Sequence, residues 1–198
     1  MTHTERLSRV HLSTLVVIRD TTYVVDTNNG PWGGTNPIPL VHDEPSVDLW
    51  PRQRRMLHAS LPGFSDTRQK WWRMQAKPTE SSPWIDVYAF MDVEWAPVDF
   101  QLIRTAYNVM GTAWAAPRPV CFRVLLEEGE PVGYLMAFGD ELVRHYKGNT
   151  ETLEKFYSEN ERVAAYETHF GIALTDEEQK GIIGLEAELE GDGFDFYG

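Results

Sequence analysis

The segment from Val120 to Phe138 constrains the fold more than any other part of the chain. Two apolar runs, Val120 to Glu127 and Val132 to Phe138, are joined by Glu128-Gly129-Glu130-Pro131. Turn residues between two runs of strand length specify a pair of β-strands. On the first run Val120, Phe122, Val124 and Leu126 alternate with Cys121, Arg123 and Leu125, which gives one apolar face and one mixed face. The second run is apolar on both faces, so it belongs in the interior of a sheet.

The same reasoning extends along the chain. Leu12 to Ile18 and Tyr23 to Asp26 read as a hairpin, because Val16, Val17, Ile18, Val24 and Val25 are β-branched and Arg19-Asp20-Thr21 supplies a turn. Asn28 to Pro37 is dense in Gly, Asn and Pro and reads as a loop. Pro51 to Ser60 and Thr67 to Lys77 are expected to be short helices, the first opened by a proline and the second stopped by Pro78. Trp84 to Trp95 reads as a strand. Val98 to Met110 reads as a helix, with Phe100, Ile103, Tyr107 and Met110 on one side. Asn149 to His169 is expected to be helical, with Leu153, Phe156 and Val163 along one side, and a last helix opens at Thr175 with Glu178 at capping-box spacing.

This order lacks the strand and helix alternation of a parallel α/β sheet, and no repeat of 20 to 50 residues is visible. The expected fold is therefore α+β: one domain over residues 10–190, with a mainly antiparallel sheet, helices packed on it and a C-terminal helical pair. Residues 1–9 are expected to be a flexible N-terminus and residues 191–198 an acidic, aromatic tail. An apolar content of 42% supplies a core. No apolar run is long enough for a membrane helix and residues 1–9 are polar, so a cytoplasmic protein without a membrane role is expected.

Charge is unevenly distributed. Between Leu49 and Thr79 stand Arg52, Arg54, Arg55, Arg68, Lys70, Arg73 and Lys77 against Asp66 alone, in a chain whose net charge is −12. On a helix Lys70, Arg73 and Lys77 would share one side, flanked by Trp71 and Trp72, with Arg52, Arg54 and Arg55 extending the patch. Such a patch could grip a partner protein, or phosphates and bases. At the other end, Phe194, Phe196 and Tyr197 lie among carboxylates, a composition suited to docking into a basic groove, on a partner or on another copy. The expected function is thus that of a non-enzymatic binding protein, an accessory protein acting through these two regions. The alternatives are a structural subunit of an assembly and an enzyme of unassigned class.

The enzyme alternative rests on Trp32, in a glycine-rich loop, and on Asp92 and Glu94, which two-residue spacing on a strand would place on one side. The common hydrolase, zinc, nucleotide and redox motifs are absent. His42, Asp43, Glu44 and Asp48 are potential metal ligands with nothing in the sequence to fix their geometry, and no metal or cofactor is expected. Cys121 is expected to be a buried, inert thiol. Glu128 to Phe138 resembles a central strand of GNAT-type N-acetyltransferases. The glycine-rich turn that should follow is replaced by the charged run Asp140 to Lys147, and the family is not assigned.

Overall fold

The computed structural model describes residues 13–26, 30–109 and 118–189. The chain divides into two compact units, Met1–Val109 and Met110–Gly198.

The first unit contains two antiparallel sheets. In one, β1 (Thr14–Ile18) pairs with β2 (Thr21–Val25), and β2 pairs with β3 (Ile38–Pro39). The β1–β2 connection is the two-residue turn Arg19-Asp20, with both residues at positive φ, the geometry that matches the twist of a hairpin. The other sheet has the order β4 (Ser46–Val47), β5 (Gln53–Ala59), β6 (Trp71–Lys77), β7 (Ile85–Phe90). Helix α1 (Pro97–Val109) follows. A single apolar cluster, Val24, Ile38, Met56, Met74 and Tyr88, joins the two sheets.

Two expected helices are strands. Pro51 to Ser60 becomes β5, and Thr67 to Lys77 becomes a turn followed by β6. Alternation decides both. Arg54, Met56 and His58 stand opposite Ala76, Met74 and Trp72 in register, and both methionines reach the core. On the other face Arg55 meets Gln75, and Arg73 and Gln75 reach Asp86 on β7. The long polar side chains that suggest a helix are satisfied by neighbouring strands instead.

The second unit is one antiparallel sheet with short helices. Its order is β11 (Asn149–Lys155), β10 (Glu141–Tyr146), β9 (Glu130–Phe138), β8 (Val120–Glu127), so β9 is interior, as its two apolar faces require. Gly133 allows β9 and β10 to approach closely, because a Cβ there would stand 3.0 Å from Tyr146 Cα and nearer still to the His145 carbonyl oxygen. The expected helix from Asn149 to His169 is replaced in its first third by β11, paired along its length with β10 around the turn Lys147-Gly148. Helix α2 (Glu159–Ala165) then starts at Ser158, whose hydroxyl accepts from the Glu161 N–H, and continues as a π-helical turn, Tyr166–Phe170, ending at Gly171 in a left-handed conformation.

Helix α3 (Asp176–Lys180) carries the expected Thr175–Glu178 capping box, but it stops at Lys180 and residues 181–189 run on in turns. The expected long C-terminal helix is thus a single short one, in keeping with the low helix propensity of Gly181 and Gly184. Its continuation is held by a buried ion pair. Arg162 donates to the carbonyls of Gly139 and Ala187, and Glu159 accepts from the Leu189 N–H. The antiparallel α+β class holds, with few helices. No helix among the described residues is long and apolar enough to cross a membrane. The expectations for residues 1–9 and for Phe194, Phe196 and Tyr197 lie outside the described residues.

Candidate active site

The sequence Val24-Val25-Asp26 brings a carboxylate to the end of a core strand. Val24 is buried in the apolar cluster, and Asp26 follows the last residue of β2. The chain then reaches a 3-10 turn, Gly30–Trp32, closed by the Gly33 N–H donating to the Gly30 carbonyl. Asp26 lines a small recess with Val24, Gly34, Asn36, Ile38, Arg54, Met74 and Tyr88. Its volume is about 10 Å³, room for one water and not for a substrate. Any reacting molecule must therefore approach Asp26 from outside the recess.

Tyr88 reaches the recess from β7, where it stands opposite Met74. Its hydroxyl donates to Asp26 and accepts from Ser13. Burial first, and then the Asp26 charge, push the phenol far above its ordinary value, so Tyr88 is a fixed neutral donor.

Behind the recess lies a buried ionic network. Asp48, whose side chain is fully buried, accepts from Thr35 N–H at 2.9 Å and from Thr35 Oγ1 at 2.6 Å. It also pairs with Arg52 and, at 3.2 Å, with Arg54. Burial alone would raise the Asp48 pKa; the two guanidinium charges and the Thr35 hydrogen bonds outweigh it and hold the carboxyl below its usual range. Arg52 also donates to the Gly33 carbonyl and Arg54 to the Asn36 carbonyl, so the pair holds the stretch from Gly33 to Asn36 that leads into β3. Gly34 is required by this arrangement, since a Cβ there would stand 2.8 Å from Arg54 Cζ and closer to Nη1.

The cations read from the sequence as one surface patch are dispersed. Arg52 and Arg54 are buried with Asp48. Arg55 pairs with Asp43 and lies 4.2 Å over the Trp84 ring, which Lys77 approaches at 5.9 Å. Arg73 pairs with Asp86, Arg68 with its near neighbour Asp66, and Lys70 donates to the Thr67 carbonyl. Trp71 is buried with Phe64 against its ring edge, and Trp72 stacks on His58. The helix that would have aligned Lys70, Arg73 and Lys77 does not form: Arg73 is paired with a carboxylate, Lys70 donates to a backbone carbonyl and Lys77 lies near the Trp84 ring.

The other candidates also separate. Trp32 is partly exposed on the 3-10 turn, whereas Asp92 and Glu94 lie beyond the end of β7, both exposed. His42 Nδ1 accepts from the His58 N–H, Asp43 is taken by Arg55 and Asp48 by the arginine pair. Among the described residues no group of three metal-ligating side chains exists. Cys121 is half-buried on β8, and burial raises its thiol pKa against an opposing hydrogen bond with Tyr166, itself pushed up to about 12. A thiol held protonated in this way is a weak nucleophile.

No protein-family model matches the chain. It is 29% identical over 183 residues to the N-malonyltransferase FDB2 of Fusarium pseudograminearum (strain CS3096), an alignment covering 87% of this chain and 53% of that protein. It is 26% identical over 181 residues to the N-malonyltransferase FDB2 of Gibberella moniliformis, covering 87% of this chain and 52% of the relative. The chain therefore spans about half the length of the curated relatives it matches. Among solved structures, the arylamine N-acetyltransferase of Mycobacterium abscessus matches with a TM-score of 0.72 at 16% identity, over 88% of this chain and 58% of that one. The Mycobacterium marinum arylamine N-acetyltransferase in complex with CoA matches with a TM-score of 0.66 at 19% identity, over 83% and 55% of the two chains. The fold resembles that of the arylamine N-acetyltransferases.

These relatives overturn the expectation of a non-enzymatic binding or accessory protein. The curated relatives are named as N-malonyltransferases, and they align over 87% of this chain. The sequence reading missed Asp26 and Tyr88 altogether. The one available signal was local: a carboxylate ending an apolar strand immediately before a loop rich in glycine and asparagine.

Proposed function

We propose that the chain takes part in N-acyl transfer, moving a short acyl group from a CoA thioester to the nitrogen of an arylamine. The observation that carries this reading is the alignment of 87% of the chain with N-malonyltransferases, which makes malonyl the first acyl group to test. The solved relatives of similar fold support an arylamine acceptor and a CoA donor.

In such a transfer the amine nitrogen attacks the thioester carbonyl, a C–N bond forms and the C–S bond breaks. The nitrogen loses a proton, and the departing thiolate of CoA takes one up. A base must accept the proton from nitrogen and deliver it to sulfur, and a carboxylate that orients a histidine is a recurrent solution. Asp26, held by the Tyr88 hydroxyl and lining a recess too small for substrate, suits the orienting role. The two described histidines of the first unit are engaged with each other and with Trp72. Ser13 is hydrogen-bonded to the same Tyr88 hydroxyl as Asp26, so one side chain holds both. Cys121, half-buried with its thiol pKa raised by burial, is not the acyl carrier in this reading.

The test is release of free CoA from malonyl-CoA and from acetyl-CoA in the presence of an arylamine such as aniline. The reading predicts amine-dependent release that is lost in Asp26→Asn. No release with either donor, or release indifferent to Asp26, contradicts it.

A further inference from the structure

The second unit holds a cleft of about 620 Å³, the size of a small-molecule site. Its two walls are separate pieces of chain held by one side chain. Gly139, in the β9–β10 turn, belongs to one wall, and Ala187 and Leu189, in the run after α3, belong to the other. Arg162, whose side chain is 2% exposed, donates to the Gly139 carbonyl at 3.2 Å and to the Ala187 carbonyl at 3.2 Å, while its partner Glu159 accepts from the Leu189 N–H at 2.9 Å. Glu159 and Ala187 take the remaining N–H groups, so every donor of the guanidinium is used. A buried pair with no net charge thus sets the separation of the walls from behind, and the cleft is built before any ligand arrives.

The lining joins apolar surface to an excess of negative charge. Phe156 and Leu189 supply apolar surface, and Tyr157, 68% exposed, adds an aromatic ring. A second ring, Phe138, already carries a cation, with the Arg118 guanidinium 5.6 Å from its centroid. Asp140, Glu141, Glu186 and Glu188 outnumber Arg118 and Lys155. Lys155 is matched by Asp140 at 3.5 Å, and Glu188 accepts from the Gly184 N–H at 2.6 Å. The side chains of Glu141 and Glu186, one on each wall, make no ion pair or hydrogen bond among the described residues. We propose that this cleft binds a small aromatic ammonium ion, a protonated arylalkylamine, with its ring against Tyr157 and Leu189 and its ammonium group met by Glu141 and Glu186. An anion would be opposed by the carboxylates, a neutral ring would leave both glutamates unmatched, and a purely aliphatic cation would leave the apolar surface unused. The inference goes beyond the acyl-transfer reading and does not rest on it.

The test is an amide NMR titration of the full chain at pH 7 with three probes of one shape: 2-phenylethylamine, a cation; 2-phenylethanol, neutral; and 3-phenylpropanoate, an anion. The amine is expected to give saturable shifts at Gly139, Tyr157 and Ala187, to bind at least about threefold more tightly than the alcohol, and to weaken as salt is raised. Glu186→Gln and Tyr157→Ala alter exposed side chains that the fold does not depend on, and each should weaken amine binding by about two- to fivefold. Absence of saturable shifts, shifts confined to residues away from the cleft, or binding of the alcohol or the carboxylate as tight as that of the amine would overturn the proposal, as would full affinity in both variants. The titration needs no turnover, so its failure is distinguishable from failure of the acyl-transfer reading.

Discussion

Replacing Asp48 by Asn should destabilise the first unit by about 3 to 5 kcal/mol, the cost of removing one partner from a buried ion pair. The change is nearly isosteric, so cavity formation contributes little and the effect is electrostatic. Asn keeps an oxygen for Thr35, but it offers no charge to Arg52 and Arg54, whose side chains are 11% and 3% exposed. For a chain of this size the loss corresponds to a fall in the unfolding midpoint of roughly 6 to 20 °C. The pH dependence adds a second signature. The Asp48 pKa is depressed in the folded protein, so its stabilisation is complete above the unfolded value of about 3.9 and is lost as pH falls through the folded value. Urea unfolding of the wild-type protein should therefore show stability falling with pH below about 4, and Asp48→Asn should flatten that slope. A variant within about 1 kcal/mol of wild type at pH 7, or with the wild-type acid slope, would refute the claim that this carboxylate holds the arginine pair.

Other consequences can be measured directly. Gly34→Ala should cost about 1.5 to 3 kcal/mol in urea unfolding, because Arg54 must leave a charge-assisted hydrogen bond to clear the new methyl group; wild-type stability would show that the guanidinium yields freely. Gly133→Ala should destabilise the second unit by about 1 to 3 kcal/mol, since the obstructing atoms are backbone, and hydrogen exchange should rise first along β9 and β10. Cys121 should react with an aromatic disulfide at pH 7 at least tenfold more slowly than a free thiol, and Cys121→Ser should leave acyl transfer unchanged; loss of transfer would return the thiol to the mechanism.

The parts of the fold that the sequence made legible are those in which local pattern and tertiary role agree. The Arg19-Asp20 turn, the interior strand from Val132, the helix after Pro97 and the Thr175 cap all carry their reason within a few residues. The failures share a physical cause. Strands β5 and β6 are rich in Arg, Lys and Gln, good helix formers whose strand pairing depends on Asp86 and Asp43 from elsewhere in the chain. Likewise, Leu153, Phe156 and Val163 have helical spacing although Leu153 lies on a strand and Val163 on a helix. The candidate site was harder still. Arg52 and Arg54 look like surface cations until Asp48 and the loop carbonyls close over them, and Asp26 gains meaning only when β7 brings Tyr88 to it.

The central claim, that Asp26 serves N-acyl transfer, is tested most directly by mass spectrometric detection of the malonylated arylamine formed from malonyl-CoA by the full chain and by Asp26→Asn. The account predicts product from the wild-type protein at a rate at least about a hundredfold above that of the variant, a conservative figure for losing a carboxylate that orients a catalytic base. Equal rates in the two proteins, or no product from the wild-type chain above the uncatalysed background, would contradict it.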